Sequence, residues 1–167
     1  ANYTDALSSS VATIMGELSA PLNDHPQEYP DEINTLAVTI ATPFAVLDET
    51  DLEGLLNRVN FAIVGNEIIQ FANADETSEG HWELSLMLRG RKGTQTNYWP
   101  AGTRFVLLTT ATLGTIPANL VDLGRTLTFR ATSFGDTVDN GTVVSMLYTG
   151  RSQIEREVAY LAAHIDG

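Results

Sequence analysis

The stretch that most constrains this chain is Phe61-Ala-Ile-Val64 and Glu67-Ile-Ile-Gln-Phe71, on either side of Gly65-Asn66. Two apolar runs parted by two such residues specify a β-hairpin. Gly accepts the positive φ of a primed turn, whose twist matches that of the strands. In this reading Phe61, Ile63, Ile69 and Phe71 pair across the hairpin, and Leu84, Leu86 and Leu88 extend the same sheet. A hairpin leaves unpaired backbone on both edges, so more strands must follow. Leu36, Val38 and Ile40 alternate with Ala37 and Thr39, the period of a half-buried strand. Trp82-Glu-Leu-Ser-Leu-Met-Leu88 reads as a strand reached through a polar loop, Asp75-Glu-Thr-Ser-Glu-Gly80. Arg89-Gly-Arg-Lys-Gly-Thr94 then turns the chain. Phe105-Val-Leu-Leu108 is apolar throughout and reads as a central strand. Thr126 to Ala131 alternates again, and Val143 to Tyr148 reads as the last strand. Asn140-Gly141, between Thr137-Val138 and Val143-Val144, signals a second hairpin.

Composition agrees with β-structure: 20 Thr and 13 Gly, against a single lysine, Lys92. Two helices are nevertheless expected. Thr50-Asp-Leu-Glu53 is a capping box that starts a short helix through about Asn57, burying Leu52, Leu55 and Leu56. Ser152-Gln-Ile-Glu155 is another, followed by an apolar face of Ile154, Val158, Leu161, Ala162 and Ile165. Val11 to Leu18 fits a short helix or a strand, and Pro21, Pro26 and Pro30 interrupt regular structure after it. The expected fold is all-β, an antiparallel small barrel or sandwich with one short inserted helix and a C-terminal helix. Its expected segments are an N-terminal arm or loop-rich segment over 1–33, a β-domain over 34–150 and a helical segment over 151–167.

The net charge of -12 argues against phosphate backbones as partners. Without Cys there is no disulfide, thiol chemistry or Cys-based metal site. No apolar run approaches the ~20 residues that cross a bilayer. His25, His81 and His164 are far apart and lie in no metal-binding pattern. Asp48, Glu49, Asp51 and Glu53 lack the alternation and turn Gly of a Ca²⁺ loop. Arg89-Gly-Arg-Lys-Gly-Thr94 is basic and Gly-rich but fails the phosphate-loop pattern, since its Lys precedes Gly93. No GxSxG element offers a serine nucleophile. The residues therefore give no catalytic, cofactor or metal site, and the chain reads as non-enzymatic. Trp82, Tyr98 and Trp99 are candidates for a sugar-stacking platform, or else core and rim aromatics.

Leu55-Leu-Asn57, Asn60-Phe-Ala-Ile-Val-Gly65, Glu67-Ile-Ile-Gln-Phe71, Leu84-Ser-Leu-Met-Leu-Arg-Gly-Arg-Lys-Gly-Thr94 and Ala101-Gly-Thr-Arg-Phe-Val-Leu-Leu108 occur in that order. With Gly150-Arg-Ser152 further on, this series resembles the C-terminal β-domain of tail-tip (baseplate) hub proteins of long-tailed phages and gene transfer agents. The resemblance implies a structural virion protein of the tail tip, made in the host cytoplasm. It implies assembly with other tail-tip and tail-tube proteins, typically as a homotrimer, in support of host attachment. A carbohydrate- or receptor-binding module of the tail tip is the alternative, with a host glycan or receptor as partner. Gly65, Arg89, Gly90, Arg91, Gly93 and Thr94 are the motif positions. They are expected to serve folding more than binding, with Arg89 and Arg91 anchoring the turn on acidic loops.

Overall fold

A computed structural model describes residues 12–114, 119–132 and 137–149. The helix expected over 151–167 lies outside the described residues. The chain divides into two compact units, one holding residues 12–114 and the other the described residues from 119 to 149. The β-domain expected over 34–150 is therefore divided after residue 114.

The first unit is a closed antiparallel barrel. Its strands are β1 (Met15–Leu18), β2 (Leu36–Ile40), β3 (Phe61–Val64), β4 (Glu67–Ser78), β5 (His81–Arg91) and β6 (Arg104–Leu108). Their order around the barrel is β1-β2-β5-β4-β3-β6, and β1 pairs with β6 to close it. Closure removes the free edges that a sheet of six strands would otherwise expose. The segment before residue 34, expected as an arm or loop-rich segment, supplies β1, the strand alternative of the Val11 to Leu18 reading, and buries Leu18 and Leu22 completely or nearly so. Leu22 and Trp99 also exchange backbone hydrogen bonds at 2.8 and 2.9 Å. Pro21, Pro26 and Pro30 all follow β1, so they interrupt the connection to β2 and leave the strand itself free to pair.

The hairpin β3–β4 forms as expected, with Val64 opposite Glu67 and Gly65 at φ 59. Its pairs differ from the expected ones: Ala62 faces Ile69, while Phe61 faces Gln70 and Ile63 faces Ile68. Ala62, Val64, Ile69 and Phe71 point inward, with Leu36, Val38, Leu84, Met87 and Phe105. Phe61 and Ile63 are half-buried on the other face. The stretch Asp75 to Ser78, expected as a loop, continues β4 opposite β5, with Asp75 paired to Glu83 and Glu76 to Trp82. A barrel strand needs apolar residues on its inner face alone, so a polar outer run does not end it. The reversal falls at Glu79-Gly80, where the Glu76 carboxylate accepts the Gly80 N–H at 3.0 Å.

Strand β5 changes parity along its length. Leu86 adopts φ 52, and Arg89 and Gly90 lie together opposite Ile69 in a bulge between the pairs Gln70–Leu88 and Ile68–Arg91. Leu84 and Met87 consequently belong to the barrel core, whereas Leu86 and Leu88 join Leu52, Leu55 and Ala72 in a second cluster. That cluster seats the short helix α1 (Leu52–Leu56) against the barrel wall. The helix is capped by Asp51, whose side chain accepts from the Gly54 N–H, and not by Thr50 as expected. Asp is as good a cap as Thr, and the chain starts its helix one residue later. Leu55 is fully buried and Leu52 and Leu56 are half-buried.

The second unit is the hairpin β7 (Thr126–Ala131) and β8 (Thr142–Leu147). Val143 and Val144 pair with Arg130 and Phe129, not with Thr137-Val138, because Asn140-Gly141 lies at the end of a longer connection.

With Leu84 in the barrel core and Leu86 only half-buried outside it, Leu84→Ala should destabilise by about 3 kcal/mol and Leu86→Ala by about 1 kcal/mol. Urea unfolding of the two variants measures this, and equal losses would contradict that placement.

Candidate functional site

The motif residues converge on a buried ionic network. Glu67 shares the inward face of β4 with Ile69 and Phe71, and Arg89 shares that of β5 with Met87. Arg89 Nε donates to Glu67 Oε1 at 2.7 Å and Nη2 to Glu67 Oε2 at 2.9 Å, a two-pronged pair. Nη1 donates to Asp31 Oδ2 at 3.1 Å and to the Asn23 carbonyl at 2.9 Å. Nη2 also reaches the Asn97 carbonyl at 3.2 Å. A guanidinium has five N–H groups, and these five acceptors engage them all. Glu67 also accepts the Gly90 N–H at 3.0 Å and the Trp99 Nε1–H at 2.7 Å. The side chains of Arg89, Glu67 and Asp31 are fully shielded from solvent.

Burial pushes the Asp31 carboxyl up, yet the balance lies the other way. Hydrogen bonds from the Asn34 side chain and backbone, then the charge of His25 and the hydrogen bond from Arg89, hold it below the ordinary carboxylate value. Burial likewise pushes Arg89 down, but Glu67 and Asp31 outweigh it, so the guanidinium stays charged. His25 is itself buried, with Nδ1 2.9 Å from the Pro26 carbonyl and Nε2 3.8 Å from Asp31.

The other motif positions surround this centre. Arg91 Nε donates to Gln70 Oε1 at 2.8 Å, and Gln70 Nε2 donates to the carbonyls of Leu55 and Val59. Arg91 thereby ties β5 to α1 through Gln70. The turn falls at Lys92-Gly93, at φ 54 and 76, with Arg89 to Arg91 still in the strand. Thr94 closes it: its N–H and hydroxyl both donate to the Arg91 carbonyl, and its Oγ1 accepts the Ile68 N–H. Gly65 and Gly90 allow close approach, since a Cβ would strike the Trp99 ring at the first and the Gln27 side chain at the second.

The candidate aromatics do not share an exposed face. Trp82 is in the barrel core, Trp99 is half-buried and bonded to Glu67, and Tyr98 is exposed. His81 is exposed, with Nδ1 3.1 Å from the Thr39 hydroxyl. Among the described residues no group of His, Asp or Glu is placed to hold a metal ion. Sequence reasoning missed Glu67, Asp31 and Gln70. The available signal was Arg89 beside Leu88 in an apolar strand, since a buried Arg requires a carboxylate opposite it.

Replacing Arg89 by Met leaves two buried carboxylates without their cation, and should destabilise by about 3–5 kcal/mol in denaturant unfolding. Gly93→Val forces a β-branched residue to positive φ and should abolish soluble folding. A soluble, folded Gly93→Val protein would contradict the structural role. Because the folded state holds Asp31 below its unfolded value, its contribution is full above about pH 4 and is lost as pH falls through the folded value. Asp31→Asn should therefore flatten the acid limb of the stability profile, and an unchanged limb would contradict the assignment.

No curated protein and no solved structure matches the chain. Residues 13–106, more than half of it, match the family described as Rcc01698-like, C-terminal. The match starts just before β1 and ends within β6, so it coincides with the barrel and its buried network. The chain belongs to the Rcc01698-like C-terminal family.

Proposed function

We propose that the chain is a non-enzymatic structural component of a virion, at the tail tip of a long-tailed phage or phage-like particle. In this reading it assembles as a homotrimer with tail-tip and tail-tube proteins and supports host attachment. Its resemblance to baseplate hub proteins suggests the location. The observation that carries an assembly role is the exposed apolar surface of the β7–β8 hairpin.

Leu127 pairs with Met146 and Phe129 with Val144, so four apolar side chains share one face of a two-stranded sheet. Val144 and Met146 are each 56% exposed. Leu120 and Val121, in the 3₁₀ turn before β7, are more exposed still. Two strands alone are marginal in water, and a stable sheet needs more strands or a covering layer. Such a face is what a subunit would cover on assembly. The glycan-binding alternative loses its platform, because Trp82 is in the core and Trp99 is held by Glu67.

Light scattering of the full chain across a concentration series should give the mass of a trimer. The double variant Val144→Asp, Met146→Asp should shift that mass to the monomer while leaving the barrel folded. A wild-type monomer at every concentration would contradict the proposal.

A further inference from the structure

The loop after β2 carries a second unpartnered feature, distinct from the hairpin. Ile40 and Leu47 are both buried in the barrel core, and Ala45 packs against it, so the loop is pinned at both ends. Between these anchors Phe44 is 98% exposed and Val46 65% exposed. Phe44 also has φ 55, a conformation that a bulky L-residue adopts only under strain. A groove of about 540 Å³ runs beside it, lined by Ile40, Pro43, Phe44 and Val46 and, across from them, by Glu76 and Glu79.

Among the described residues, no basic one lines this groove. Glu79 and Glu76 are exposed at its rim, and Asp75 and Glu83 face one another further along the outer surface of β4 and β5. The whole chain is at -12. An apolar seat under an acidic rim is complementary to one kind of occupant.

We propose that this groove docks an extended segment of another protein in which a Lys or Arg lies next to an aromatic or aliphatic residue. The apolar side chain seats against Phe44 and Val46, and the cation meets Glu76 and Glu79. Burying the Phe44 ring offsets both its exposure and its backbone strain. A second copy of the chain has few cations to offer this rim, nine basic side chains against 21 acidic ones, and an anionic lipid surface is repelled by it. The proposal does not rest on the tail-tip reading, because it follows from the loop and the groove alone.

The test is selection of a yeast-displayed random dodecapeptide library against the full chain, followed by titration of enriched peptides. Enriched peptides should carry Lys or Arg within two positions of an aromatic or aliphatic residue. Phe44→Ser should weaken their binding roughly tenfold or more, as removal of a central aromatic anchor does. Glu79→Lys should weaken it several-fold and lessen its dependence on salt. Phe44→Asn, which suits positive φ better, should lose binding with a melting temperature no lower than that of the wild type. No enrichment, enrichment of acidic or neutral peptides, or undiminished binding by Phe44→Ser would overturn the proposal.

Discussion

The barrel depends on one buried pairing, Arg89 with Glu67, and on what the pair gathers around it. A guanidinium and a carboxylate taken out of water carry a desolvation penalty of several kcal/mol each. Their attraction offsets this only when every remaining donor and acceptor is also engaged. Here the carbonyls of Asn23 and Asn97, the Asp31 carboxylate, the Gly90 N–H and the Trp99 indole complete the set. These partners come from five places in the chain, so the network forms only once all of them are in position. It also fixes register. A one-residue slip between β4 and β5 would turn Glu67 outward and leave Arg89 buried without its counter-charge.

The same geometry explains the irregularities of β5. A regular strand would have kept Leu84, Leu86 and Leu88 on one face. The positive φ at Leu86 and the bulge at Arg89-Gly90 instead send Met87 and Arg89 inward, with Leu88 and Arg91 on the wall that receives α1. Gln70 links the two sides of this arrangement, accepting from Arg91 and donating to carbonyls at the end of the helix. Gly90 permits both the bulge and the approach of Gln27, which in turn donates to the Thr94 carbonyl.

Much of the fold was legible because local signals agreed with the global one. The β3–β4 hairpin, the strands at Leu36–Ile40 and Arg104–Leu108, and the barrel-or-sandwich class followed from alternation and turn residues. What sequence concealed was mostly non-local. Glu67 adjoins a turn and looks solvated among 21 acidic residues until Arg89 is seen beside it. Trp82 looks like a surface aromatic because Glu83 follows it, yet its strand parity puts it inside. β1 is four residues long between segments with little periodicity, and it is specified by β2 and β6 more than by itself. Asp51 was overlooked as a helix cap because Thr50 and Glu53 completed a familiar pattern.

The sealed polar centre of the barrel is built from the family motif, which on this account holds the barrel together. A double-mutant cycle with Arg89→Met and Glu67→Leu, read by urea unfolding, tests that most directly. The account predicts strong coupling: each single variant loses about 3–5 kcal/mol, and the double variant loses much less than their sum. Small losses that simply add would contradict it, and would return Arg89 and Glu67 to the search for a binding site.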